Sequence, residues 1–77
     1  MKEFIEAIVK QLVDKPDEVV VEPVESERTI IYELKVGDGD LGKVIGKQGR
    51  TAQSIRTLMS AISAKGGGKR AILEIIE

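Results

Sequence analysis

The chain contains no cysteine, no histidine and no tryptophan among its 77 residues. Without cysteine there is no disulfide, no thiolate metal ligand and no thiol nucleophile. Without histidine, the commonest general base and the commonest metal ligand are both missing. These absences point away from catalysis, and neither a cofactor nor a metal is expected. Long apolar runs are missing too: no segment approaches the roughly 20 residues that span a bilayer. The amino-terminal stretch MKEFIEAIVKQLV does not read as a secretion signal, because Glu3 and Glu6 interrupt it before any small-residue cleavage site. A soluble cytoplasmic protein with no membrane contact is expected.

Apolar residues are present at 42%, enough for one small core near the lower size limit of an independent fold. Disorder is therefore not expected. The net charge of −1 hides an asymmetry. Residues 1–39 carry a balance of −5 and residues 40–77 a balance of +4. Such a split hints at a cationic face on a nearly neutral domain.

Phe4, Ile5, Ile8, Val9, Leu12 and Val13 recur at the spacing of one helical face. Lys15-Pro16-Asp17 ends that helix, because proline cannot continue it. The stretch EVVVEPVE is β-branched and short, and Pro23 within it places the strand at a sheet edge. After the polar turn Glu25–Arg28, TIIYELKV alternates Ile30, Tyr32, Leu34 and Val36 against Thr29, Ile31, Glu33 and Lys35, predicting an antiparallel hairpin. Asp40 stands where a helix N-cap belongs, ahead of a short helix Leu41–Ile45. A longer helix is predicted from about Arg50 to Ala64, with Ala52, Ile55, Met59 and Ile62 on its buried stripe, and Lys65–Gly68 stopping it. KRAILEII supplies the last strand, and the intervening helices let it run parallel to the one before. The whole reads as a single α+β domain, residues 1–77, in the order α-β-β-α-α-β, with a three-stranded mixed sheet covered on one face by helices.

The stretch GDGDLGKVIGKQGR, residues 37–50, holds three overlapping glycine patterns. GDGDLG matches the dinucleotide fingerprint in text. However, Asp38 and Asp40 would repel a pyrophosphate, and no acid follows about 20 residues later for the ribose. GDGDLGKV misses a P-loop because Val44 stands where Ser or Thr must meet Mg²⁺. GKQG is different. Gly46 and Gly49 bracket two polar residues between two helices, so the chain can reverse tightly and a ligand backbone can come close. The second helix begins immediately afterwards, offering N–H groups to an anion. Lys43, Lys47, Arg50 and Arg56 surround it, and no acid occurs between Asp40 and Glu74. This is a seat for a sugar–phosphate backbone.

VIGKQGRTAQSIR, set in a strand–helix–GxxG–helix–strand frame, resembles the signature of KH domains, whose loops clamp about four nucleotides. The preceding helix–strand pair resembles the type II, bacterial arrangement, with the core at residues 29–76 and the GxxG loop at 46–49. Length and coverage are similar to the small stand-alone bacterial KH proteins, the KhpA-like family. That resemblance implies single-stranded RNA as ligand, a cytoplasmic homodimer acting as an RNA chaperone or post-transcriptional regulator, and partnership with a larger KH-containing RNA-binding protein. It also implies roles: Gly46 and Gly49 as clamp glycines, Lys47 and Gln48 as the loop tip facing phosphates, and Val44 and Ile45 as the apolar wall beside the bases.

Lys43, Arg50 and Arg56 join these as expected RNA contacts. Of Val44 and Ile45, at least one should line a groove, while Ile55 belongs to the core. The only aromatic residues, Phe4 and Tyr32, fall on buried stripes, which argues against base stacking on aromatic platforms. Leu58 is surplus to one core stripe and suggests a protein contact, although a wide buried face would account for it too. Two rivals stand beside this reading: a helix-turn-helix DNA binder using residues 50–64, and an interaction scaffold with a vestigial groove. RNA and single-stranded DNA are not separated by the sequence, since contacts to the 2′-OH decide between them.

Overall fold

The computed structural model describes all 77 residues. Helix α1 spans Lys2–Leu12. Its Ile5 and Val9 are fully buried, and Phe4 and Ile8 pack half-buried beside them. The chain leaves the helix at Val13 in extended geometry, which turns Val13 inward and leaves Leu12 37% exposed, off the stripe expected for it. Pro16 then opens a single 3₁₀ turn, Pro16–Glu18, where its missing N–H costs nothing.

Strands β1 (Val20–Glu25) and β2 (Thr29–Lys35) pair antiparallel, and β3 (Arg70–Ile75) joins β2 in parallel. The order β1-β2-β3 puts Pro23 on an edge strand, where its missing donor is harmless. At the hairpin, the Ser26 N–H donates to the Thr29 carbonyl at 2.8 Å. The register opposes Val21 to Leu34 and sets Tyr32 beside Leu73. These four are the buried inner face of the sheet.

Helix α2 (Leu41–Ile45) and helix α3 (Arg50–Gly66) lie with α1 over that inner face. Val44, Ile55 and Met59 meet Ile5, Val9, Tyr32 and Leu34 in one apolar cluster. All helices thus cover one face of the mixed sheet, and no element of the chain packs on the other. Helix α3 runs two residues beyond the expected end, through Lys65 and Gly66, and stops at Gly67 in left-handed geometry (φ 66°). Its buried stripe is Ala52, Ile55 and Met59. Ile62, expected to extend that stripe, is instead 43% exposed. Ser63 turns toward β3 in its place, its hydroxyl donating to the Lys69 carbonyl at 2.7 Å and closing the return to the sheet.

Candidate nucleic-acid interface

The loop between α2 and α3 is positioned from beneath. Asp40 does not act as an N-cap: its side chain makes no capping bond to α2. It is 2% exposed and points the other way, toward the end of α1. Its two carboxylate oxygens accept the backbone N–H groups of Asp14 at 3.2 Å and Lys15 at 2.9 Å. The Lys15 ammonium donates in turn to the Asp38 carbonyl at 2.9 Å. The segment GDGD is therefore a strut that ties α2 to the α1 exit. It is not a nucleotide cradle.

Lys43 belongs to the same network. Its ammonium lies 3.0 Å from the Asp14 carboxylate and 3.8 Å from that of Asp40. The hydrogen bond to Asp14 and the charge of Asp14 raise its pKa above the ordinary 10.5, with Asp40 adding in the same direction. This lysine is paired chiefly with Asp14, far away in sequence, and more loosely with Asp40 three residues before it. It is not one of the free cations expected around the loop.

The loop backbone follows from its residue types. Gly46 (φ 77°), Gln48 (φ 57°) and Gly49 (φ 74°) all have positive φ, and Gln48 is the only non-glycine residue in the chain that does. A non-glycine residue held there is uncommon and costs free energy, which is typical of functional loops. The two glycines serve different ends. A Cβ on Gly46 would collide with the Thr51 side chain and lie 2.9 Å from the Thr51 nitrogen, so Gly46 lets α3 start where it does. A Cβ on Gly49 would meet nothing within 4 Å. That bare backbone faces open space and is the N-cap position of α3, where no side chain caps the helix.

Beside it opens a cleft of about 630 Å³, lined by Leu41, Ile45, Gly49, Ala52 and Arg56 on the helical side and Leu73, Glu74, Ile75 and Glu77 on the other. Ile45 lines the cleft, whereas Val44 is 0% exposed and belongs to the core. The reason is geometric: adjacent residues of a helix point about 100° apart, so one faces the sheet and its neighbour the cleft. Lys47, Gln48 and Arg50 stand exposed on either side of Gly49 in the chain, and Lys47, Arg50 and Arg56 have no carboxylate within ion-pairing distance. Neither Phe4 nor Tyr32 lines the cleft. The wall from β3 was missed by sequence reasoning, although the parallel crossover, which sets β3 next to α3, was the signal for it. Leu58 is 49% exposed on the outer side of α3, with Ala61 and Ile62 also exposed one turn on. Lys69, at the far end of the molecule, pairs with Glu25.

A GxxG turn joining two helices above a mixed sheet, with a parallel edge strand walling the cleft beside it, defines a KH domain, and the helix–strand pair ahead of it is the type II arrangement. The comparisons agree. The family model described as the KH domain of KhpA/KhpB matches residues 2–75. The RNA-binding protein KhpA of Chlamydia trachomatis is 53% identical over all of this chain and 97% of its own length. Those of Clostridium acetobutylicum (55%, covering 99% of this chain and 100% of the relative) and Listeria monocytogenes (51%, 100% of both) are similar in the same way. The chain belongs to the KhpA/KhpB KH-domain family.

Proposed function

We propose that this protein binds single-stranded RNA without catalysis, with the sugar–phosphate backbone seated on the Gly46–Gly49 loop and the bases in the cleft between α3 and β3. One observation carries the reading: a bare-backbone helix start with three unpaired cations, Lys47, Arg50 and Arg56, borders a cleft with an apolar lining. The cations and N–H groups suit phosphate. The lining of Leu41, Ile45, Ala52, Leu73 and Ile75 suits unstacked base faces, which a duplex does not offer. The relatives named as RNA-binding proteins support the choice of ligand. Glu74 and Glu77 on the cleft rim offer acceptors to base amino groups.

A single clamp of about four nucleotides holds RNA modestly, so we further propose that two copies associate through Leu58, Ala61 and Ile62 of α3, raising the effective concentration of the second clamp. The same surface suits a larger KH-containing RNA-binding protein, and the role that fits is a cytoplasmic RNA chaperone or post-transcriptional regulator. The decisive experiment is the double variant Lys47→Asp with Gln48→Asp, titrated against a short unstructured RNA by fluorescence anisotropy. Affinity should fall by at least about tenfold while the circular dichroism spectrum is unchanged. Unaltered affinity, or preference of the wild type for duplex DNA over the RNA strand, would sink the assignment.

A further inference from the structure

The outer face of the sheet is covered by nothing in the chain, and its side chains fall into rows across the strands. In register stand Glu22, Glu33 and Glu74. The adjacent row is Val24, Ile31 and Ile72. Like charges directly opposite one another on neighbouring strands destabilise a sheet. None of the three glutamates has a Lys or Arg within ion-pairing distance, although Lys35 stands one row away and Arg70 lies beyond the apolar row, beside Thr29. Val24 is 47% exposed, and Ile31 and Ile72 are only half-buried. An unpaired acidic row beside an uncovered apolar row is a face that lacks its partner.

We propose that this face docks a cationic amphipathic helix of a protein partner, lying across the strands. The spacing selects it. Neighbouring strands lie about 4.8 Å apart, so the outer two glutamates are separated by roughly 10 Å. Lys or Arg residues at i, i+3 or i+4, and i+7 of a helix span about 10.5 Å on one stripe. The two rows are two residues apart along each strand, about 7 Å, within the width of one helix. An adjacent apolar stripe would therefore fall on Val24, Ile31 and Ile72. A second copy of this chain does not supply such a helix. The cations of α1 are Lys2 and Lys10 with Glu3 and Glu6 between them, and those of α3 are Arg50, Arg56 and Lys65, which share no stripe. RNA is disfavoured because the carboxylates repel phosphate. The site is thus separate from the cleft and does not depend on the RNA reading, with Glu74 alone touching both.

The test uses a 16-residue helical peptide with Lys at i, i+4 and i+7 and Leu on the neighbouring stripe, titrated into the isotope-labelled full chain. A scrambled peptide of the same composition is the control. Amide shifts should centre on residues 22, 24, 31, 33 and 72 and leave 46–50 unmoved. The double variant Glu22→Gln with Glu33→Gln should weaken the peptide about tenfold or more and leave RNA affinity unchanged. Equal binding of the scrambled peptide, shifts centred on the cleft or α3, or full affinity in the double variant would each overturn the proposal. So would self-association of the wild type through these same amides, which would make a second copy the occupant.

Discussion

Asp40 offers the sharpest test of how the loop is held, because two physical roles predict opposite results for the same substitution. As a helix cap it would be replaceable, since Asn and Ser cap nearly as well as Asp. As a strut it would not be, because both of its oxygens are engaged by backbone N–H groups from Asp14 and Lys15. A hydrogen bond to a charged group contributes about 1.5–3 kcal/mol. Both donors here are only part-buried, so water recovers some of that on deletion. Asp40→Ala should then cost about 3 kcal/mol, against a total of roughly 4–12 kcal/mol for a chain of this size. That corresponds to a fall of roughly 10–25 °C in Tm. Asp40→Asn keeps one acceptor but turns its amide toward a donor N–H, and should cost about 1.5 kcal/mol. Urea unfolding followed by circular dichroism measures both. A loss below about 0.5 kcal/mol for Asp40→Asn, the range of an ordinary surface change, would refute the strut and restore the cap.

The remaining predictions concern the loop itself. Gly46→Ala should destabilise the fold by more than Gly49→Ala, since the first adds a collision with Thr51 to the positive-φ strain of about 1 kcal/mol that both incur. In RNA binding the order should reverse relative to stability lost, Gly49→Ala weakening affinity while the protein remains folded; thermal melts paired with anisotropy measure this. Lys43→Met should leave RNA affinity almost unchanged, and the slope of log affinity against log salt should stay near −2, the value for about three phosphates neutralised. A slope nearer −3 that falls on Lys43→Met would return Lys43 to the interface.

The fold was legible because local signals and long-range order agree. Pro23 could lie only at an edge, the alternation of Ile30 through Val36 named its own buried face, and Gly46 and Gly49 marked the reversal between two helices. What stayed hidden depends on residues far apart in sequence. Asp40 looks like a cap because caps are local, whereas its true partners lie 25 and 26 residues away. Lys43 looked free because the nearest acids in sequence are few, yet Asp14 reaches it across the α1 exit. Val44 and Ile45 were inseparable until the roll of a five-residue helix was known. The acidic row needs two strand registers at once, and alternation predicts only which face each glutamate takes.

These distant pairs also change what the charge asymmetry means. The sequence places an excess of acids in its first half and an excess of cations in its second, which suggests two charged halves. Folding interleaves them. Asp14 cancels Lys43 and Glu25 cancels Lys69, so two cations of the basic half are taken up by two acids of the acidic half. Near the cleft, Lys47, Arg50 and Arg56 remain unpaired, while the outer sheet face keeps both acids (Glu22, Glu33) and cations (Lys35, Arg70) without ion-pair partners. The back of the sheet is thus mixed in sign, and the cations left without acids near them are those around the Gly46–Gly49 loop. On the proposed reading, these loop cations are what a polyanion would meet first, a local field that favours encounter at the loop before any contact forms.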